Sequence, residues 1–160
     1  MFKLIHLYFK DRSRYESRKR YIKLQKEYRK KLKKQAEEFC PWSGYYMHEV
    51  VVTMLEFYYK TYEAKDCCWT ESACNGTVAK SLKEALDYAE KLDKLDAMNC
   101  LDITPLAEEY LEEFNAYCDK LDDSTYVEKY KDWIAYEFLE KKYTSELYNI
   151  IGKHIWEWCD

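Results

Sequence analysis

Glycine, proline, histidine and long hydrophobic runs are all scarce in this 160-residue chain. Three Gly and two Pro are too few for the turns of a β-sandwich or a doubly wound sheet. No apolar run approaches the roughly 18 residues of a transmembrane helix, so we expect no membrane span. Three His leave few groups for acid–base catalysis or metal binding. These shortages favour a helical protein without catalytic machinery.

Apolar side chains recur at the three- and four-residue spacing of an α-helix along almost the whole chain. We therefore predict an all-α fold, a single domain over residues 1–160 built as one bundle of five or six helices. The predicted helices cover about residues 14–39, 44–62, 77–98, 104–121 and 125–158. The first is long and basic, and Thr144-Ser145 is the expected division within the last.

Start signals and inward-facing stripes support these helices. Ser43 and Thr104 are the predicted caps of the second and fourth helices, and Thr125 with Glu128 forms a predicted capping box. The residues predicted to face the core are Tyr21, Leu24, Tyr28, Leu32, Ala36, Met47, Val50, Val51, Met54, Leu55, Tyr58, Tyr62, Val78, Leu82, Ala85, Leu86, Ala89, Leu92, Leu106, Tyr110, Leu111, Phe114, Cys118, Leu121, Val127, Tyr130, Trp133, Ile134, Phe138, Leu147, Ile150, Ile151, His154, Ile155 and Trp158.

Charge divides the chain into a basic arm and an acidic body. Residues 1–40 carry 14 Lys and Arg against 5 Asp and Glu, whereas residues 41–160 carry 12 against 25. We expect the basic helix to lie against the acidic body of its own chain or of a second copy, which favours a homo-oligomer. Nucleic-acid binding through this helix is the less favoured alternative, because the acidic body repels the same phosphates.

Seven cysteines and the absence of a secretory signal indicate reduced thiols and a cytoplasmic location. Cys67, Cys68 and Cys74 share one irregular stretch, but they lack the spacing and the fourth ligand of a zinc site. Glycine-rich phosphate loops and the G-x-S-x-G and H-E-x-x-H motifs are absent. We accordingly predict neither a metal nor a cofactor, and no enzymatic activity.

The turn between the first two helices is the strongest candidate for a ligand site. Lysines precede it and aromatic residues follow it, so an antiparallel pair brings both beside the N-terminus of the second helix, where an anion is favoured. A phosphate-bearing small molecule would suit this arrangement. The alternative is a hydrophobic staple beside a solvated lysine face. The candidate ligand residues are Lys30, Lys34, Trp42, Tyr45, Tyr46 and His48.

The chain ends in a second aromatic feature, Trp156 and Trp158. Two residues on a helix differ by about 200°, so one core face cannot bury both rings. We expect one indole to dock inward and the other to meet a partner or ligand, and we name both as candidate interface residues.

Three segments carry a resemblance in style to a group of viral proteins: residues 42–63 (WSGYYMHEVVVTMLEFYYKTYE), 81–92 (SLKEALDYAEKL) and 151–160 (IGKHIWEWCD). They resemble the small, helical, aromatic-rich accessory proteins of tailed bacteriophages. The resemblance implies a binding protein in the host cytoplasm that counters a defence system by sequestering a nucleotide-derived immune signal. Inhibition of a host protein, or mimicry of nucleic acid by the acidic body, is the alternative.

Overall fold

The computed structural model describes residues 12–38, 44–63, 76–98, 103–121 and 123–159. Over these residues the chain is helical and contains no strand, which confirms the all-α prediction. None of these helices is both long and apolar enough to cross a membrane. The helices are α1 (Arg12–Glu37), α2 (Gly44–Glu63), α3 (Thr77–Ala97), α4 (Thr104–Glu108), α5 (Leu111–Asp119), α6 (Ser124–Lys129) and α7 (Lys131–Cys159).

The prediction of five or six helices was too low, since the described residues form seven. Tyr110 separates α4 from α5 with φ −120° and ψ 42°, and Tyr130 separates α6 from α7 with φ −119° and ψ 30°. Both breaks lack a Gly or Pro, so the sequence carries no signal for them. The division predicted at Thr144-Ser145 was wrong, because α7 continues through both residues.

Two predicted caps were also wrong. The cap position of α4 belongs to Ile103, and the Thr104 N–H and hydroxyl both donate to Asp132 Oδ1, at 3.1 and 2.5 Å. These hydrogen bonds, that of the hydroxyl first, lower the pKa of the Asp132 carboxyl. The N-cap of α6 is Asp123, whose carboxylate accepts from the Tyr126 N–H at 2.9 Å, in place of the predicted box of Thr125 and Glu128.

The described helices group into two compact units, with divisions at Leu86/Asp87 in α3 and at Gly152/Lys153 in α7. The first unit holds α1, α2, the start of α3 and the end of α7, and the second holds everything from Asp87 to Gly152. Gly76, just before α3, has φ +77°, a conformation that other residues adopt only with strain. A single domain over residues 1–160 stays a prediction.

The first unit is built around aromatic residues tied by hydrogen bonds. Trp158 is 3% exposed, and its indole N–H donates to Ser81 Oγ at 2.9 Å. Its carbonyl accepts from the Tyr62 hydroxyl at 2.9 Å. Among the described residues of this unit, the other buried apolar side chains are Tyr28, Leu55, Val78, Leu82 and Ala85.

The second unit has a cluster of buried apolar residues at its core. Within it Phe138 lies 5.3 Å from Phe114, and Phe138 lies 5.6 Å from Tyr117, which packs against the cluster, between ring centroids. The cluster's buried members are Leu95, Ile103, Ala107, Phe114, Ile134, Ala135, Phe138, Leu139 and Tyr143.

Some residues predicted to face the core are exposed instead. The periodicity places them at the edge of an apolar stripe, where a small rotation of the helix decides between core and solvent. Met47 is 57% exposed and Met54 is 45% exposed, so α2 presents two methionines to solvent. The other predicted core residues that are exposed are Ala36, Leu111, Leu121, Tyr130, Trp133 and Ile155.

Candidate functional site

Helices α1 and α2 pack antiparallel, as their cross-helix contacts require. Near one end Tyr21 meets Phe57, with ring centroids 6.1 Å apart. Near the other, the Gln35 side-chain amide donates to Thr53 Oγ1 at 2.9 Å. The pairing follows from the sequence, because the apolar stripe of α1 continues through Leu24 and Tyr28 on the same face.

A charged cluster surrounds a buried phenol at the middle of this pair. The Tyr28 hydroxyl donates to Glu56 Oε2 at 3.0 Å, and Lys31 Nζ donates to the same oxygen at 3.1 Å. The ammonium groups of Lys31 and Lys60 lie 4.8 and 5.3 Å from the Tyr28 ring centroid. Burial raises the pKa of Tyr28 and the Glu56 hydrogen bond adds to that rise, while Lys60 opposes it. The cluster holds the basic helix against α2.

Beside this cluster, the two helices form an open cavity of about 200 Å³, which we call the α1–α2 groove. Aromatic and apolar side chains form most of its wall, and Arg29 contributes a guanidinium at an exposed position. The lining residues are Gln25, Tyr28, Arg29, Leu32, Met54, Phe57 and Tyr58. A cavity of this size admits a planar ring system, and the cation suits an anionic substituent.

The structure brings few of the predicted ligand residues together. Lys30 is exposed and lies opposite Tyr28 on α1, and Lys34 Nζ is 3.5 Å from Oε1 of Glu38, just beyond the end of α1. His48 is half-buried on α2, with its ring Nε2 enclosed. Trp42 and the side chains of Tyr45 and Tyr46 lie outside the described residues, as do Cys67, Cys68 and Cys74. The groove thus involves the same helix pair but a position nearer its middle.

The sequence analysis missed Arg29 and Phe57 as candidate residues. Arg29 follows Tyr28, so it flanks the buried stripe of α1 by one helical position. Phe57 lies three and seven residues after Met54 and Val50, which is helical spacing. The helical positions of Arg29 and Phe57 are readable from the sequence, but the concentration of lysines near the turn predicted a site there instead.

The two C-terminal tryptophans separate as their spacing requires. Trp156 is 78% exposed, whereas Trp158 is buried and hydrogen-bonded within the first unit. The Trp158 ring is enclosed by its own chain, as expected for one of the two indoles. The interface roles assigned to Trp156 and Trp158 stay predictions.

A larger open groove of about 530 Å³ lies in the second unit, between α5, α6 and α7. Its wall combines Cys118 with the carboxylates of Asp119, Asp123 and Glu128. The Asp123 carboxylate already accepts a hydrogen bond as the N-cap of α6. Burial raises the pKa of the Cys118 thiol. Across the described residues no three His, Cys, Asp or Glu side chains are placed to hold a metal ion. This groove is a weaker candidate than the α1–α2 groove.

A tyrosine–lysine cluster in the second unit is engaged internally. The ring of Tyr143 lies 6.2 Å from that of Tyr88 and 6.3 Å from that of Tyr110, between centroids. Lys142 pairs with Glu113 and lies 4.5 Å from the Tyr110 ring centroid. Burial, reinforced by Tyr110, raises the pKa of Tyr143 to about 12.

Tyr143 makes the stability of the protein fall at high pH. Its pKa is higher in the folded protein than in the unfolded chain, so its contribution is complete below about pH 10 and is lost towards pH 12. We expect Tyr143→Phe to remove about 1.4 kcal/mol of this loss between pH 8 and pH 11. Urea unfolding at pH 8, 10 and 11 measures it, with the exposed Tyr148→Phe as control. An unchanged pH slope in Tyr143→Phe would contradict the assignment.

The chain was compared with protein families, curated proteins and solved structures, and none of the three matches it. The site must therefore be interpreted from its own geometry and charge.

Proposed function

We propose that this protein is a non-enzymatic binding protein that holds a phosphate-bearing small molecule in the α1–α2 groove. The observation that carries the proposal is the aromatic cavity of about 200 Å³ with Arg29 in its wall. A planar base would lie against the half-buried Phe57 and Tyr58 rings, and a phosphate would lie outside against the guanidinium.

The wider charge of α1 supports this orientation. The helix carries twelve Lys and Arg against three Glu, so an anion approaching it meets a strongly positive surface. Glu56 contacts Tyr28 of the groove wall, but its carboxylate already accepts from Tyr28 and Lys31 and repels an anion less than a free carboxylate would. The ligand's charge is thus met by Arg29 and by the field of the helix.

The narrower form of the proposal takes its ligand class from the resemblance to bacteriophage accessory proteins. On that basis the ligand is a nucleotide-derived immune signal, which the protein sequesters in the cytoplasm of a host cell. Sequestration needs no catalytic group, only affinity and sufficient protein.

Titration calorimetry against cyclic nucleotides and ADP-ribose-type compounds tests the proposal. We expect one class to bind, and Arg29→Glu to weaken that binding about 10- to 100-fold, because a charge-assisted contact is worth about 1.5–3 kcal/mol. Tyr58→Ala should weaken it about tenfold through lost stacking. Lys23→Glu is the matched control, since it makes the same charge change on the far face of the same helix. Absence of binding across the panel would reject the proposal.

Exposed methionines favour a second candidate function, inhibition of a host protein. Met47 and Met54 lie on one face of α2, seven residues apart, and Met54 also lines the α1–α2 groove. Methionine is an adaptable contact residue, and a groove between two helices can accept the apolar face of a partner helix. This candidate predicts binding of an acidic amphipathic peptide that Met54→Glu abolishes, with no retained small molecule.

A further inference from the structure

Four lysines form a continuous ridge on the face of α1 opposite Tyr28. Lys19, Lys23, Lys26 and Lys30 recur at spacings of four, three and four residues, which places them in one row about 16 Å long. All four are exposed. We call this row the lysine ridge.

The four lysines of the ridge have no acidic group within 4.0 Å among the described residues. In the second unit, by contrast, Lys94 pairs with Glu90 at 2.8 Å and Lys141 with Glu137 at 2.7 Å. Like charges three and four residues apart destabilise a helix by a few tenths of a kcal/mol per pair. Glu16 and Glu27 are at helical spacing from Lys19, Lys23 and Lys30 but do not contact them, so the row keeps a net positive charge that suits an acidic partner.

The second unit carries the opposite charge. Residues 87–152 contain 17 Asp and Glu against 7 Lys and Arg, a net charge of −10. On α5, Glu112 and Asp119 lie on the face opposite the buried Phe114, and the small Ala116 lies between them. Glu109 precedes them in the turn between α4 and α5, and all three acids are exposed. We call this row the α5 acidic face.

We propose that the lysine ridge of one molecule docks on the α5 acidic face of a second copy of this chain. The two rows have opposite charge. The ridge is about 16 Å long, and the acidic face runs for about 10 Å from Glu112 to Asp119 and is extended by Glu109. Ala116 allows the two helices to approach closely at the centre. The contact joins two different surfaces, and each copy carries one of each.

Charge complementarity favours a second copy over nucleic acid as the occupant. The whole chain has a net charge of −4 and its second unit repels phosphates. Two of the α1 tyrosines interleaved with the ridge, Tyr21 and Tyr28, contact Phe57 of α2, so their rings are engaged within the molecule and do not line the ridge as a stacking surface for bases.

Charge-swap complementation tests this interface. The ridge variant carries Lys19→Glu, Lys23→Glu and Lys26→Glu, and the acidic-face variant carries Glu109→Lys, Glu112→Lys and Asp119→Lys. We expect wild-type protein to dimerise in sedimentation velocity at 50 mM NaCl. Each variant alone should dimerise at least about tenfold more weakly, and an equimolar mixture should recover association, because each altered surface then meets its complement. Association should weaken about tenfold or more at 500 mM NaCl.

Several outcomes would overturn the proposal. Wild-type protein that stays monomeric at 50 mM NaCl, or a dimer unaffected by the ridge variant, removes the lysine ridge from any self-interface. Failure of the mixed variants to associate, with each shown folded by circular dichroism, removes the pairing with α5. Release of co-purified nucleic acid by the ridge variant identifies the other occupant. None of these results bears on the α1–α2 groove, so the two proposals fail separately.

Discussion

Trp158→Ala is expected to lower the free energy of unfolding by about 3–5 kcal/mol. The indole is 3% exposed and fills the centre of the first unit. Its removal leaves a large cavity and deprives Ser81 Oγ of the N–H that it accepts at 2.9 Å. The variant should therefore unfold at markedly lower urea concentration, as followed by circular dichroism.

Trp156→Ala is the matched control for that measurement. The same residue type is removed two positions earlier on the same helix, but this indole is 78% exposed. We expect a change within about 0.5 kcal/mol. Equal losses in the two variants would contradict the orientation of the end of α7.

Phe138→Ala has the second large expected effect, a loss of about 3–5 kcal/mol in the second unit. The ring is nearly enclosed and contacts the rings of Phe114 and Tyr117, so the substitution removes both buried area and aromatic pairing. Urea unfolding followed by circular dichroism measures the loss.

The control for Phe138 is Trp133→Ala, on the same helix. Trp133 is about half exposed, so its removal should cost less than about 1 kcal/mol despite the larger ring. A greater loss in Trp133→Ala than in Phe138→Ala would mean that α7 presents a different face to the core.

Trp133 shows how far the spacing of apolar residues can predict burial in this chain. The spacing of apolar residues predicted the helical class and the buried positions of Ile134 and Phe138, because a stripe of period 3.6 must face the core. It also assigned Trp133 and Tyr130 to the same core, yet both are exposed. Periodicity defines the centre of a stripe better than its edges, where tertiary packing decides.

The predictions of helix boundaries were wrong for a different physical reason. The breaks at Tyr110 and Tyr130 arise from backbone dihedrals that any residue can adopt, and no local residue type announces them. Thr104 is a residue type that commonly caps helices, but its hydroxyl donates instead to the carboxylate of Asp132 on α7. That partner is 28 residues away in sequence, and a local pattern cannot identify it.

The candidate site was predicted only to the level of its helix pair. Charge and aromatic content predicted a ligand site at the turn after α1, whereas the described cavity lies nearer the middle of the pair, at Arg29 and Tyr58. A cavity depends on which side chains fail to fill the space between two helices. That property emerges from packing in three dimensions and has no signature in residue spacing.

Native mass spectrometry tests the central proposal most directly, that the α1–α2 groove holds a phosphate-bearing small molecule. Wild-type and Arg29→Glu proteins would be purified from cells with an active nucleotide-signalling defence. We expect wild-type protein to retain a nucleotide-sized added mass and Arg29→Glu protein to have lost it, while Lys23→Glu retains it. A wild-type protein without added mass, or one whose ligand persists equally in Arg29→Glu, would contradict the account.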